Sequence, residues 1–198
     1  MAVRICPLVN GTSQNISVSV MMYSLMNKNT LNITHFDSPV GPMVACATNL
    51  GICLVDYMDR DILENEFEFL EKEFDTKILS GSNKHLATLQ KELKEYFIGN
   101  RSSFSVPLHA SGTDFQMSVW NALQSIPYGN TRSYKQQAES IGNVKAVRAV
   151  ASTNGKNRIN ILIPCHRVIG SNGKLVGYGG GLERKQWLLD LEAGNFKS

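Results

Sequence analysis

The chain has 198 residues, of which 42% are hydrophobic and 19% charged, with a formal net charge of +3. Those figures describe one or two globular domains with a real core and exclude a chain too polar to fold. No apolar run approaches the ~20 residues of a membrane helix, Met1 to Leu8 lack the apolar stretch of a signal peptide, and four cysteines without a Cys-x-x-Cys pair favour a reducing cytoplasm over a disulfide framework.

Charge is uneven. Residues 1–108 hold 9 Lys+Arg against 12 Asp+Glu, whereas residues 109–198 hold 11 against 5. A basic half beside an acidic one suggests that one domain meets a polyanion. An unevenly charged solvated surface would look the same.

Residues 1–28 show neither helical nor strand periodicity and are expected to be a tail of unknown role, with Met21, Met22 and Met26 as alternative starts. An N-terminal domain is expected over 29–108. Thr34 to Pro42 reads as strand and turn, with Ser38-Pro39 and Gly41-Pro42 as turn chemistry. Met43–Ala47 and Ile52–Tyr57 form a hairpin around Asn49-Leu50-Gly51. Arg60–Phe74 is an acidic helix with Ile62, Leu63, Phe67, Leu70 and Phe74 on one side. Asn83–Phe97 is a second helix, striped by Leu86, Leu89, Leu93 and Phe97 and ended at Gly99. Cys46, Cys53, His35 and His85 are most simply packing or surface residues.

Arg101–Ala110 is the expected linker, and a C-terminal domain follows over 109–198. Thr113-x-x-Gln116 is a capping box opening a helix with Phe115, Val119, Leu123 and Ile126 on one face and Trp120 beside it. Ser133-x-x-Gln136 is a second box, opening a short helix that Gly142 closes. Asn143 can cap a third helix, Val144 to about Thr153. Two short helices joined at Gly-Asn read as a helix-turn-helix. On a wheel, Val144, Val147, Val150 and Ala151 share the buried side, and Lys145, Arg148, Ala149, Ser152 and Thr153 the other. Small residues let a helix approach a nucleic-acid groove while an Arg projects furthest. A solvated helix has the same pattern. The last helix, 183–192, turns Trp187, Leu188 and Leu191 inward. Glu192, near its end, opposes the helix dipole. It is either a solvated carboxylate or a partner for His166.

Ile159 to Ile163 is an apolar run that delivers the chain to Pro164-Cys165-His166-Arg167-Val168, followed by a glycine-rich loop from Gly170 to Gly181. A buried β-branched run ahead of an exposed Cys-His pair would set a nucleophile on a rigid base. The thiolate is the reactive form, and a neighbouring His and basic surface are the usual means of favouring it. Taken alone, the pair is more often a structural Cys beside a surface His.

The whole string is more specific. Pro164-Cys165-His166-Arg167-Val168, with Gly177-Tyr178-Gly179-Gly180-Gly181-Leu182 and Trp187-Leu188-Leu189, resembles the O6-alkylguanine-DNA alkyltransferases (methylated-DNA–protein-cysteine methyltransferases) over roughly residues 30 to 198. The resemblance implies an α+β fold: a small ribonuclease-H-like antiparallel sheet with helices, then a mostly helical, winged-helix-like domain with the helix-turn-helix. It implies DNA repair by direct reversal. O6-alkylguanine, with O4-alkylthymine as a second candidate, is flipped from the duplex at a cost of roughly a few kcal/mol, and its alkyl group passes to Cys165 in one irreversible turnover.

In this scheme Glu192 orients His166, and His166 takes the Cys165 proton through water. Tyr178 neutralises the leaving guanine. Arg148 fills the vacated stack, and Tyr134 crowds the adjoining phosphate. Lys145, Ala149, Ser152 and Ser171 complete the DNA contacts, made through the minor groove although helix-turn-helix proteins in general read the major groove. Val168, Tyr178, Gly179, Asn157 and Asn160 line the base pocket, and Asn157 bridges the helix-turn-helix to the active-site turn. The resemblance implies a monomer without cofactor, in the cytoplasm, at the nucleoid of a prokaryote or in the nucleus of a eukaryote. Some members bind a structural zinc near the position of Cys53. The partner ligands are missing here, so no metal is expected. Two departures stand out: Arg158 replaces a Pro and adds charge near the DNA side, and Asn160 replaces a small residue or Pro at the pocket wall. Two other classes stay open, a non-catalytic sensor of alkylated DNA, against which Cys165 speaks, and a transcription regulator in which the helix-turn-helix is the function.

Overall fold

The computed structural model describes residues 30–195, so the expected tail over 1–28 lies outside the described residues. Strands β1 (Leu31–Phe36), β2 (Met43–Ala47) and β3 (Ile52–Tyr57) form an antiparallel meander. A short β4 (Ile78–Ser80) adds to β1 in parallel, giving the order β3-β2-β1-β4. β4 has only three residues, too few to carry a period, and sequence reading passes over it. The hairpin falls where Asn49-Leu50-Gly51 places it.

Both β2 and β3 are buried along their whole length, because the sheet has two covered faces. Side chains alternate between them. Val44 and Cys46 join Leu31, Leu54, Leu63, Leu70 and Phe74 under helix α1 (Leu63–Glu73). Met43, Ala45 and Ala47 face the other way, into a larger core with Leu86, Leu89 and Leu93 of helix α2 (Lys84–Phe97). Asn83 caps α2 by accepting from the His85 N–H. The Cys53 thiol donates to the Cys46 carbonyl at 3.3 Å inside the sheet, a packing role. α1 starts at Leu63, not Arg60, and Arg60 reaches back to pair with Asp56 at 2.5 Å.

The larger core runs without interruption into the C-terminal half, taking in Val119, Trp120, Leu123, Val150, Ile159, Ile163, Val168 and Leu188. Helix α3 (Asp114–Gln124) and helix α4 (Tyr134–Ser140) both open on the expected capping boxes, each with reciprocal side-chain and backbone bonds. Helix α5 (Val147–Gly155) starts three residues later than the sequence suggests. Ala146 N–H instead closes a turn on the Asn143 carbonyl, so Asn143 does not cap the helix. The delay rotates the expected wheel. Val144 is 56% exposed and Ala151 is exposed, whereas Thr153 and Asn154 are buried beside Val150. Trp120 fixes this side by donating its indole N–H to the Thr153 carbonyl at 3.1 Å. Helix α6 (Leu182–Glu192) closes the fold with Leu188 and Leu191 buried.

Candidate active site and nucleic-acid face

The stretch Ile159–Ile163 is not a strand. Ile159 makes one isolated bridge to Val55 of β3, and Asn160 one to Ile163 within the stretch itself. The chain then turns so tightly that Ile161 sits at φ +73°, a conformation costly for a β-branched residue and found where surrounding structure enforces it. Ile163 N–H returns to the Ile159 carbonyl, and Cys165 N–H to the Ile163 carbonyl. Cys165–Arg167 then forms a single 3₁₀ turn, and Val168–Ile169 pairs with Arg132–Ser133 as a two-stranded parallel ladder. That ladder ties the turn holding Cys165 to Ser133, the N-cap of α4.

Cys165 and His166 are buried, not exposed: the thiol residue is 3% accessible and the imidazole residue 0%. Burial pushes the Cys165 thiol up to about 11, against the opposing pull of the Asn157 amide and the Lys185 ammonium. Desolvation therefore outweighs the neighbouring cation, and the resting group is the neutral thiol. Burial also lowers His166, although Glu192 favours its charged form. His166 is neutral at pH 7. Its Nε2 lies 2.9 Å from Glu192 Oε1, and an ionised carboxylate can only accept. Nε2 therefore carries the proton, and the buried Nδ1, which has no hydrogen-bond partner among the described residues, holds the free lone pair.

Glu192 is the hub of this network. Oε1 also accepts from Tyr96 Oη (2.7 Å) and Arg167 Nη2 (2.9 Å), and Oε2 accepts from Arg167 Nε (2.8 Å) and the Gly129 N–H (3.1 Å). Burial raises the carboxyl, but the hydrogen bonds from His166 and Arg167 prevail and hold it at about 2. The contacts make the carboxylate a partner of His166 and not a solvated group.

The Asn157 side chain lies within the turn around Cys165: Nδ2 donates to the Ile163 carbonyl (2.8 Å) and to Cys165 Sγ (3.1 Å), while Oδ1 accepts from the Ile159 N–H (3.0 Å). Asn160 lies against the same sulfur, with Oδ1 3.8 Å from Sγ. Val168 is buried, and Gly179 is packed so closely under Arg60 that a Cβ there would lie 2.9 Å from its Nη2. Tyr178 Oη is 2.8 Å from Tyr57 Oη, and burial raises the Tyr178 phenol well above its ordinary value. A phenol in that setting stays protonated and can only give its proton to a strong acceptor.

Three groups in the site carried no sequence signal. Lys185 is fully buried, and its Nζ donates to the carbonyls of Val168 (2.5 Å), Val176 (2.9 Å) and Gly177 (3.1 Å). It clamps the glycine loop to the active-site strand. Burial lowers it to about 8 while the nearby Cys165 opposes the fall. Asp56 and Tyr57 arrive from β3 in the other half of the chain. Only the rule that buried charge must be paired would have drawn attention to them, and that rule needs the burial first.

On the opposite side of α5, Arg148, Ala149 and Ser152 are exposed, as are Lys145 in the turn that precedes it and Ser171 in the glycine loop. Tyr134 does not join them. It is 8% accessible, and its hydroxyl donates to the Val176 and Gly177 carbonyls, 3.1 Å from each. Its place is beneath the pocket loop. Arg158 does not face the nucleic-acid side either. It pairs with Glu66, donates to the Ser111 carbonyl (3.3 Å) and stacks 3.8 Å above the Phe69 ring, joining the two halves of the chain.

Two family models divide the chain between them. The 6-O-methylguanine DNA methyltransferase ribonuclease-like domain matches residues 21–110, and the DNA binding domain of the same proteins matches residues 114–194. The chain belongs to the 6-O-methylguanine DNA methyltransferase family. Among its relatives, the methylated-DNA–protein-cysteine methyltransferase of Methanosarcina acetivorans is 44% identical over 158 residues, covering 79% of this chain and 95% of that protein. The inducible enzyme of that name from Bacillus subtilis is 44% identical over 146 residues, 74% of this chain and 81% of the relative. Among solved structures, Mycobacterium tuberculosis OGT in complex with DNA superposes with a TM-score of 0.72 at 38% identity, covering 84% of this chain and 96% of that one.

Proposed function

We propose that this protein repairs alkylated DNA by moving an alkyl group from O6 of guanine, or O4 of thymine, onto Cys165. The observation that carries the reading is the single line of contacts from Glu192 through His166 to the turn that holds Cys165. Glu192 fixes the imidazole tautomer, leaving the unpartnered Nδ1 to take the thiol proton across one water. The thiolate attacks the alkyl carbon. The S–C bond forms as the C–O bond breaks, the electron pair stays on the base, and the Tyr178 hydroxyl supplies the proton that makes it a neutral leaving group. The thioether has no good leaving group of its own, so each molecule acts once.

Boundaries near 29–108 and 109–198 divide the labour. The second part meets the minor groove through α5, where the short Ala149 and Ser152 let the backbone come close and Arg148 projects into the stack. The first part completes the pocket. No helix among the described residues is long and apolar enough to cross a membrane, and buried unpaired Cys46, Cys53 and Cys165 suit a reducing, cytoplasmic compartment.

The test is intact mass after incubation with a duplex containing O6-methylguanine. A stoichiometric gain of one CH2 unit, mapped to Cys165 and lost in Cys165→Ala while DNA binding persists, is the expected result. Folded protein that binds the duplex without gaining mass would instead make it a damage sensor, and sequence-selective binding as a dimer would make it a regulator.

A further inference from the structure

Asn160 is a buried amide with four hydrogen-bonding positions to satisfy, and its surroundings decide how it must sit. Its Nδ2 donates to the Val55 carbonyl at 3.2 Å and to Asp56 Oδ1 at 3.0 Å. Turning the amide over would set its oxygen against a carbonyl oxygen and a carboxylate, which no arrangement of protons can mend on the Val55 side. Oδ1 therefore faces Cys165 Sγ, where it accepts a long S–H···O contact. Asp56 is itself fully buried. It is held by Arg60 at 2.5 Å and by the Tyr57 N–H at 2.8 Å. Nothing in the alkyl-transfer steps above requires this carboxylate.

The consequence is chemical. An amide oxygen aimed at sulfur welcomes S–H and repels S⁻. Asn157 does the reverse, offering an N–H that suits the thiolate. The nucleophile thus sits between one amide that favours its reactive form and one that opposes it. We propose that Asp56 and Asn160 form a latch on the nucleophile: Asp56 and the Val55 carbonyl pin the Asn160 oxygen toward Cys165, which keeps the single-use residue as the thiol until a substrate engages it. This rests on the reading of Cys165 as the alkyl acceptor. A protein consumed by one alkylation gains from being slow toward stray electrophiles, and the latch supplies that restraint within the pocket wall. Asn160 touches the reacting sulfur. Asp56 is a positioning residue.

The other groups acting on the sulfur are Lys185 from α6, which favours the thiolate, Asp56, whose charge also opposes it across the pocket, and the phenols of Tyr57, Tyr134 and Tyr178, which remain neutral. Around Asp56 stand Arg60 and, further off, Glu66. None of them reverses the sign of the Asn160 contact.

The test uses the full chain and iodoacetamide, whose reaction with Cys165 is followed by mass across pH 7 to 12, so that it brackets the raised thiol and reads it without needing DNA. Asn160→Ala should move the midpoint of the profile down by about one pH unit and speed alkylation near pH 7 about tenfold. Asp56→Asn, which keeps the geometry and removes the charge, should move it down by less. Thermal melts establish that each variant is folded, and Asn160→Ser stands in for Ala if that variant is not. Folded variants whose midpoints stay put, or rise, overturn the latch. Methyl transfer from O6-methylguanine DNA is measured beside it. If parent protein reacts with iodoacetamide at Cys165 but never accepts a methyl group, the proposed function has failed and the latch is judged on the iodoacetamide profile alone.

Discussion

Replacing Glu192 by Gln isolates the charge at the centre of the site. The side chain keeps its shape, but five donors now face an amide, and Arg167, with its Nη1 held on the Ile126 carbonyl at 2.6 Å, loses its counter-ion. Removing one partner of a buried ion pair costs about 3–5 kcal/mol. An independent figure comes from the titration. The carboxyl stands at about 2 in the folded protein against an ordinary 4.5, and a gap of about 2.5 units corresponds to about 3 kcal/mol of stability at neutral pH.

The sign follows from the depressed folded value. The contribution is fully present above pH 4.5 and is lost as the pH falls toward 2, with about 1.4 kcal/mol gone by pH 3.5. Glu192→Gln should therefore lower the melting temperature by roughly 6–12 °C at pH 7. Because a protonated Glu resembles Gln, the gap between parent and variant should narrow in melts taken from pH 5 down to pH 3.5. A gap of under about 1 kcal/mol at pH 7, or one that stays constant over that acid range, would refute the hub role assigned to the carboxylate.

Two further outcomes follow from the geometry. Arg148→Ala should slow transfer from an O6-methylguanine duplex roughly ten- to hundredfold while leaving the free base nearly unaffected, since only the duplex must be opened; single-turnover rates on both substrates check this, and equal slowing would remove Arg148 from base flipping. Lys185→Met fills the same space but takes the ammonium from the Val168 carbonyl and leaves those of Val176 and Gly177 to share the Tyr134 hydroxyl, so urea unfolding should show a loss of about 1–3 kcal/mol with slower transfer from every substrate, whereas an unchanged rate would separate the glycine loop from the chemistry.

What the sequence shows and what it hides differ for physical reasons. The capping boxes at Thr113 and Ser133 are local chemistry, and both helices begin where those boxes place them. The meander is equally legible, because turn residues and strand alternation are short-range signals. The start of α5 is not. Asn143 looks like a cap, yet the chain spends three more residues in a turn before the helix forms, a choice set by packing of Val150 against the core and of Thr153 against Trp120. The state of the nucleophile is hidden in the same way. Cys-His adjacency suggests an activated thiol, but burial is a tertiary property, and it reverses the expectation for Cys165.

The larger lesson lies in β3. Val55, Asp56 and Tyr57 are consecutive residues more than a hundred positions from Cys165, and all three reach its surroundings. Val55 pairs with the backbone on either side of Ile159 and accepts from the Asn160 amide, Asp56 also holds that amide, and Tyr57 meets Tyr178. Arg158, which reads from sequence as a charge for DNA, secures the same junction through Glu66 and Phe69. The N-terminal half is therefore part of the wall around Cys165 and not a detached cover. Its acidic surplus and apolar strands give no hint of this, because the contribution depends on three residues presented by one strand. A chain truncated to the family's DNA binding domain would retain Cys165, His166 and Glu192 but lose the partners of Asn160 and Tyr178. It would leave the larger core open along Ile159 and Ile163, so the truncated chain should lose stability and the restraint on its thiol together.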